Sequence, residues 1–237
     1  MAMLKRRPGP AFAVASIKPS TPEENGYVRW FPGGRLRAAH VPLRFLIRFA
    51  YDLAEDRLTG GPKWVSDDFF DVEAAPDELL PAEPNNDNAA QRLVLRRLRR
   101  ERFHLGCQFE SRALPVLVLN VGKSGPNLAT SLPDRALHID IKNNGAARTF
   151  VFEGVPSSNI ARNLSAQLKR TVLDHTGLTS HYEGKLEWTF DMDDAPSDAP
   201  LPSIYSALQQ QLGLRLQIEK TPIDVCVIDS VNRPDAN

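Results

Sequence analysis

Histidines and nearby acidic residues are the side chains of this sequence that could bind a metal ion. The five histidines are scattered along the chain, at His40, His104, His138, His175 and His181. Zinc sites need ligands at short, fixed spacings, often including cysteine. Asp174, His175 and His181 come closest to such a spacing, but Thr176-Gly177 between them predicts a helix-ending turn from which these side chains diverge. We therefore predict no metal site at these residues.

Four aspartates between residues 191 and 198 could suggest a calcium-binding loop. The twelve-residue calcium loop needs a glycine at its sixth position and a glutamate at its twelfth. Pro196 and Pro202 occupy those two positions here. The segment Asp191–Pro200 is therefore predicted to be a solvent-exposed acidic loop without a bound ion.

Residues that could act on phosphate or acyl groups also lack their partners. Gly122-Lys123-Ser124 follows an apolar strand, but a phosphate-binding loop needs a glycine five residues before its second glycine, and that residue is Leu117. The Gly-x-Ser-x-Gly motif of the hydrolases is absent. Neither Ser124 nor Ser165 lies in a recognisable pattern with a residue that could serve as its general base. The sequence therefore predicts a strand-ending turn at Gly122, no catalytic residue and no cofactor.

The two cysteines, Cys107 and Cys226, are too few for a disulfide framework. Each falls within an apolar strand, where a cysteine usually serves as a small buried hydrophobic residue. We interpret both in this way. A bridge between them in an oxidising compartment stays open as an alternative.

Six arginines crowd one predicted helix. Such a group could bind phosphate or an anionic membrane surface. They surround a predicted inward stripe of Leu93, Val94 and Leu98, and Glu101 interrupts them. This arrangement is typical of a solvent-exposed helix face, and we interpret the arginines in that way. They are Arg92, Arg96, Arg97, Arg99, Arg100 and Arg102.

The composition limits the partners and compartments of the protein. Its 237 residues carry 29 Lys and Arg against 29 Asp and Glu, so no global field recruits nucleic acid. No apolar run approaches the ~18 residues of a transmembrane helix. The basic residues 5–7 could open a signal peptide, but Pro8-Gly9-Pro10 interrupts the apolar segment that must follow. Either the protein is cytoplasmic or its export signal was lost from the chain.

The segment Leu201–Val231 shows how the elements are arranged. Ser203 predicts a helix N-cap and Gly213 the end of that helix, with one apolar face between them. Leu214–Ile218 alternates between apolar and polar residues, which predicts a half-buried strand. We expect a turn at Lys220-Thr221-Pro222 and a more central strand after it.

Ala89–Val121 follows the same order of helix, strand, proline turn at Leu114-Pro115, and strand. Strand-helix-strand patterns precede both segments: one runs from Phe12 to Ala74, and the other from Arg148 to Phe190, with its helix ending at Thr176-Gly177. The helix of the first pattern follows Pro42, and its predicted buried stripe is Leu43, Leu46, Ile47 and Ala50. We therefore predict an α+β protein of two similar halves, each strand-helix-strand then helix-strand-strand. The predicted divisions are a leader or disordered segment 1–11, halves 12–130 and 131–234, and a tail 235–237.

Several long strings make the chain similar to a known family. FAVASIKPS, GGRLRAAHVPLRFLIRFAYDL, LTGGPKWV, VLDHTGLTSHYEGKLEW and ALQQQLGLRLQIEKTPIDVCVIDSVNRP resemble a soil-associated, acidobacterial-type family catalogued as a domain of unknown function. The resemblance implies an exported protein, periplasmic or secreted, sometimes found beside an antibiotic-sensor-type membrane metallopeptidase. The His-Glu-x-x-His motif of that peptidase is absent here. ALQQQLGLRLQIE also resembles part of the short N-terminal module of secretins and TonB-dependent receptors.

Without catalytic residues, the sequence favours a non-enzymatic, extracytoplasmic binding or interaction module. Its partner would be another envelope protein or a small ligand, not nucleic acid. The alternatives are a sensory or accessory domain regulating a membrane peptidase pathway, and a hydrolase with an unrecognised site. The candidate binding or signature residues are Trp64, Asp174, Gly177, Tyr182 and Trp188. For the tryptophans, core packing and interface anchoring are both consistent with the sequence.

Overall fold

The computed structural model describes residues 10–21, 26–80, 88–132, 135–189 and 201–234. The predicted leader up to residue 9, the whole acidic loop Asp191–Pro200 and the tail 235–237 lie outside the described residues. The described chain contains both helices and strands, so the predicted α+β class is confirmed. It divides into two compact units. Unit 1 takes the described residues within 10–80, 88–111 and 224–234, and unit 2 takes those within 112–223.

Unit 1 is built around a four-stranded antiparallel sheet. Its chain forms the strands β1 (Phe12–Pro19), β2 (Tyr27–Phe31), β3 (Arg35–Pro42), β4 (Leu58–Gly60) and β5 (Phe69–Pro76). The sheet has the order β1-β5-β3-β2. The helices are α1 (Leu43–Tyr51), α2 (Trp64–Asp67) and α3 (Ala89–Arg102).

The core of unit 1 follows from strand alternation and from one stripe on α1. In β5, the residues Phe70, Val72 and Ala74 are buried while the residues between them face solvent. Helix α1 begins after Pro42, whose missing N–H costs nothing at a helix N-terminus. The predicted stripe of α1 is confirmed, because its four members are all buried. They are Leu43, Leu46, Ile47 and Ala50.

Unit 2 is built around a second antiparallel sheet. From α3 the chain runs through β6 (Gly106–Val121), β7 (Ala129–Thr130), β8 (His138–Asn144), β9 (Ala147–Pro156), α4 (Ser157–Leu168), β10 (Val172–Asp174), β11 (His181–Thr189), α5 (Ile204–Ala207) and β12 (Leu214–Ser230). The sheet has the order β7-β11-β9-β8. Ser203 caps α5 by accepting a hydrogen bond from Ser206, and Gly213 closes the following π-helical turn with φ 65°, as predicted.

The strands β6 and β12 are continuous, so the predicted turns at Leu114-Pro115 and Lys220-Thr221-Pro222 are wrong. A proline is tolerated inside a strand only where no neighbouring strand needs its missing N–H. β10 pairs with β6 in parallel only at Leu117–Leu119, and β4 pairs with β12 only at Cys226–Ile228. Both prolines lie outside these short parallel pairings. Each second helix is therefore followed by one long strand instead of two, and the third sheet has the order β10-β6-β12-β4.

Other predicted boundaries also need correction. The helix α4 ends at Leu168, where Lys169 takes a left-handed φ of 52°, and not at Thr176-Gly177, because β10 lies between them. The strands β2, β4, β8 and β10 were not predicted. β2 and β8 are edge strands with incomplete alternation, and β4 and β10 have three residues each. Such strands depend on partners that are distant in sequence.

Gly154→Ala should destabilise the protein more than Gly177→Ala. Both glycines have a left-handed backbone, with φ of 63° and 69°, so a Cβ strains each by about 1–2 kcal/mol. At Gly154 the Cβ would also lie 2.8 Å from the carbonyl oxygen of Arg135, whereas at Gly177 it meets nothing within 4 Å. Chemical denaturation of the two variants measures the difference. Equal losses of unfolding free energy would contradict the steric argument.

Candidate functional site

The structure places the two candidate tryptophans in packing positions. Trp188 belongs to unit 2 and is 1% exposed within its core. Trp64 begins α2 in unit 1 and packs edge-on against Phe70, with ring centroids 6.4 Å apart. The guanidinium of Arg233 lies 5.2 Å from the centre of the Trp64 ring. These contacts favour core packing over ligand binding for both residues.

Asp174, Gly177 and Tyr182 lie within one short segment of unit 2. The Asp174 carboxylate accepts hydrogen bonds from the Ser157 hydroxyl at 2.6 Å and from the N–H and hydroxyl of Thr176 at 3.0 and 2.7 Å. Gly177 has the positive φ expected from the sequence, and Tyr182 is buried. Since Asp174 is occupied by groups of its own unit, this arrangement favours a structural turn over a binding loop.

A different group of residues, in unit 1, forms a pocket. Its volume is about 460 Å³. Three arginines of α3 supply positive charge, while the other residues supply an aromatic ring and apolar surface. None of the five candidate residues from the sequence lines it. The lining residues are Pro10, Tyr51, Leu93, Arg96, Arg97, Arg100 and Leu105.

The three pocket arginines differ in their contacts. Arg96 donates from Nε to the carbonyl of Ala50 at 2.7 Å, and its guanidinium lies 5.0 Å from the centre of the Tyr51 ring. Arg97 pairs with Glu101, one turn later on α3, at 2.7 Å. Arg100 is exposed. Arg96 is therefore held in place, whereas Arg100 can reorient toward an anion.

Arg99, on the same helix, is fully buried. Its Nε donates to the Leu95 carbonyl at 3.2 Å, and its guanidinium lies 4.6 Å from the centre of the Tyr51 ring. Both terminal nitrogens, Nη1 and Nη2, are buried without a hydrogen-bond partner among the described residues. Burial lowers the pKa of Arg99 to about 10, so it stays positively charged at neutral pH. The interpretation of all six arginines as solvent-exposed is therefore wrong.

The two cysteines lie beside this buried charge. Both are free, Cys226 is buried, and Cys107 is half-buried. The Cys107 thiol donates to the Tyr51 hydroxyl at 3.4 Å. A hydrogen bond from Cys226 lowers the pKa of Cys107 to about 6, and the Tyr51 hydroxyl and the Arg99 charge contribute to the shift. The same bond, together with burial, raises the pKa of Cys226. Cys107 is therefore the thiol that ionises first.

Tyr51 connects the pocket to the thiols. It is the last residue of α1, lines the pocket and packs edge-on against Phe109 with ring centroids 5.6 Å apart. Burial and the hydrogen bond with Cys107 raise the pKa of its hydroxyl. Tyr51 therefore stays protonated at neutral pH and acts as a hydrogen-bond donor or acceptor, not as a base.

The family comparison covers most of both units and every lining residue of this pocket except Pro10. A family model described as "Protein of unknown function (DUF3738)" matches residues 44–231. The chain belongs to the DUF3738 family. No curated protein and no solved structure matches it. The match includes Tyr51, α3 and both cysteines of this DUF3738 chain, so the cluster around Arg99 lies entirely within the family domain.

The described residues of the DUF3738 chain hold no group of three or more His, Cys, Asp or Glu placed to bind a metal ion. Within the same described ranges, no helix has the length and apolar character needed to cross a membrane.

One pattern in the sequence indicates that Arg99 is buried. The predicted stripe of α3 was Leu93, Val94 and Leu98, but Leu93 is 50% exposed and Leu95 is buried. A stripe through Leu95 and Leu98 places Arg99 at the next position on the same face. The contact with Tyr51 and the two thiols had no signal in the sequence, since these residues lie on separate elements.

Asp174→Ala should lower the stability of unit 2 by about 1–3 kcal/mol. The variant removes a carboxylate that accepts three hydrogen bonds, and it leaves the Ser157 hydroxyl with one acceptor fewer. Urea denaturation measures the loss, and Asp140→Ala, at an aspartate of β8 that pairs with Lys142, serves as the control. An unchanged midpoint for Asp174→Ala would show that the turn needs no carboxylate.

The unfolding free energy should rise as pH increases from about 6 to about 8.5. Cys107 has a folded-state pKa of about 6, below the ~8.5 of an unfolded cysteine. Between these values the unfolded state binds more protons, so raising pH favours the folded state. Urea denaturation under reducing conditions measures this slope, which Cys107→Ser should reduce. A slope identical in both proteins would show that Cys107 does not ionise early.

Proposed function

We propose that this protein is a non-enzymatic binding module whose unit 1 pocket holds a small anionic ligand with an apolar part. The observation that carries the proposal is the pocket of about 460 Å³ between arginines of α3 and the ring of Tyr51. Its volume is within the range of small-molecule sites. The ligand class follows from the lining, which combines cationic and apolar side chains.

The charges around the pocket support an anion. The whole chain is neutral, so three arginines at one pocket are a local positive field in an otherwise balanced protein. Arginine donates two parallel hydrogen bonds to a carboxylate or phosphate. Leu93, which is 50% exposed, and Tyr51 provide the surface for an apolar or aromatic portion of the ligand.

The chemistry of the lining supports binding over catalysis. The described lining residues include no carboxylate and no histidine, and the single hydroxyl belongs to Tyr51. Because the pKa of Tyr51 is raised, that hydroxyl is no general base at neutral pH. The lining offers hydrogen-bond donors and apolar contact, which hold a ligand without transforming it.

We also place this binding outside the cytoplasm, in the periplasm or in secreted form, as the sequence resemblance implies. The ligand is then a small envelope metabolite or an anionic group of another envelope protein. The alternative of a sensory domain in a peptidase pathway rests on the resemblance alone. Fractionation of cells that express the full coding frame tests the location.

We further propose that residues 12–130 and 131–234 are repeats of one ancestral half. Support comes from the two antiparallel sheets, which have the orders β1-β5-β3-β2 and β7-β11-β9-β8. By position in the sheet, β1, β5, β3 and β2 correspond to β7, β11, β9 and β8. The parallel pairings also correspond: a short strand of each half pairs with the end of a long strand of the other half, β4 with β12 and β10 with β6.

2-Naphthoate should bind unit 1 more tightly than its neutral analogue 2-naphthalenemethanol, as measured by isothermal titration calorimetry. Arg100→Gln and Arg96→Gln should each weaken naphthoate binding roughly 3- to 10-fold, because each removes a charge-assisted contact of about 1 kcal/mol. Neither variant should weaken binding of the alcohol to the same extent, since the alcohol has no charge.

The matched control is Arg29→Gln, at an exposed arginine of β2 outside the pocket lining. It removes the same charge from unit 1 and should leave naphthoate binding unchanged. Equal affinity for acid and alcohol, or an equal effect of Arg29→Gln and Arg100→Gln, would overturn the anion-binding proposal.

A further inference from the structure

We propose that Cys107 and Cys226 form a thiol–disulfide exchange site, in which Cys107 attacks a low-molecular-weight disulfide and Cys226 resolves the mixed disulfide. Each protein molecule reacts with one reagent disulfide, and the reaction leaves an intramolecular disulfide between the two cysteines. It does not depend on the ligand proposed for the pocket, although Tyr51 contacts both places.

The positions of the two thiols support this pairing. Cys107 lies in β6 and Cys226 in β12, which are neighbouring strands of one sheet, and both residues belong to unit 1. The thiols are free, and both side chains pack into the same hydrophobic core of unit 1. Cys107 is half-buried whereas Cys226 is fully buried. A small reagent therefore reaches Cys107 first, and Cys226 lies on the neighbouring strand, from which it can attack the mixed disulfide.

The surrounding charges favour a thiolate at Cys107. The titratable and charged groups that act on it are Tyr51 on α1, Arg99 on α3, and Cys226 and Asp229 on β12; the first three favour the thiolate, and Asp229 opposes it. Asp229 is exposed and accepts a hydrogen bond from Gln108. The buried guanidinium of Arg99 has two unpartnered nitrogens and no carboxylate beside it. An anion at Cys107 supplies its countercharge.

The exchange balances in two steps. The Cys107 thiolate attacks one sulfur of the reagent disulfide, forms a mixed disulfide and releases one reagent thiolate. The Cys226 sulfur then attacks the Cys107 sulfur, its proton passes to the second leaving thiolate, and the Cys107–Cys226 bond forms. Two protein thiols are oxidised to one disulfide, and the reagent disulfide is reduced to two thiols.

The test uses the full chain and 2,2′-dithiodipyridine, a neutral disulfide whose released thiopyridone absorbs light. The protein should release two equivalents of thiopyridone and retain no adduct by mass spectrometry. Cys226→Ser should release one equivalent and retain one adduct, and Cys107→Ser should lose the fast phase. A stable adduct on the wild-type protein, or first labelling of Cys226, would overturn the proposal.

The dependence of the first step on pH separates an activated thiol from an ordinary one. Its rate should rise with a midpoint near the Cys107 pKa of about 6, whereas an unperturbed cysteine has a midpoint of about 8.5. The midpoint is the readout, because intrinsic nucleophilicity falls as the pKa falls. Tyr51→Phe should move the midpoint upward, and so should Arg99→Met where circular dichroism shows a folded protein. A wild-type midpoint of about 8.5 contradicts the proposal.

The neutral reagent keeps this experiment apart from the pocket proposal. Arg100→Gln, which should weaken naphthoate binding, should leave the two equivalents of thiopyridone unchanged. Failure of naphthoate binding with normal exchange refutes the pocket ligand alone. Normal naphthoate binding with a single stable adduct refutes the exchange site alone.

Discussion

The buried positive charge of Arg99 is the constraint on which the functional part of unit 1 depends. Removing a guanidinium from water without a paired carboxylate costs several kcal/mol. The structure offsets this cost through the Tyr51 ring, the Leu95 carbonyl and the negative charge of ionised Cys107. These interactions come from α1, α3 and β6, so the packing of the three elements must be kept for the free-energy cost of the buried charge to be offset. A hydrogen bond from Cys226 is the main cause of the low pKa of Cys107, and the Arg99 charge adds to that shift.

Neighbouring arginines of helix α3 lie in different environments. Arg99 points into the packed interior, while Arg96 and Arg100 line the pocket. Tyr51 contacts both Arg96 and Arg99 and also bonds to Cys107. A ligand that moves this ring therefore changes the environment of the thiol, and ionisation or oxidation of the thiol changes the wall of the pocket. The two proposed sites are physically adjacent although their chemistry is separate.

Helix periodicity and capping predicted the elements that are determined by residues close together in the sequence. The α1 stripe after Pro42 and the cap at Ser203 were predicted correctly, because a helix period and a capping hydroxyl act within a few residues. The same reasoning failed at Pro115 and Pro222, where composition predicted turns. Whether a strand accepts a proline depends on which N–H groups its neighbours require, and that is known only once the strands are paired.

The sequence by itself determined the α+β class, most helices, the central strands and the neutral net charge of the chain. Each of these depends on periodicity, capping or composition, which are local or additive properties. Only the tertiary structure decided the site. Arg99 became a buried charge, and Cys107 an acidic thiol, because α1, α3, β6 and β12 bring their side chains together across up to 175 positions of the chain, from Tyr51 to Cys226. A pKa is set by such three-dimensional surroundings, through burial, hydrogen bonds and nearby charge, and no spacing in the sequence encodes them.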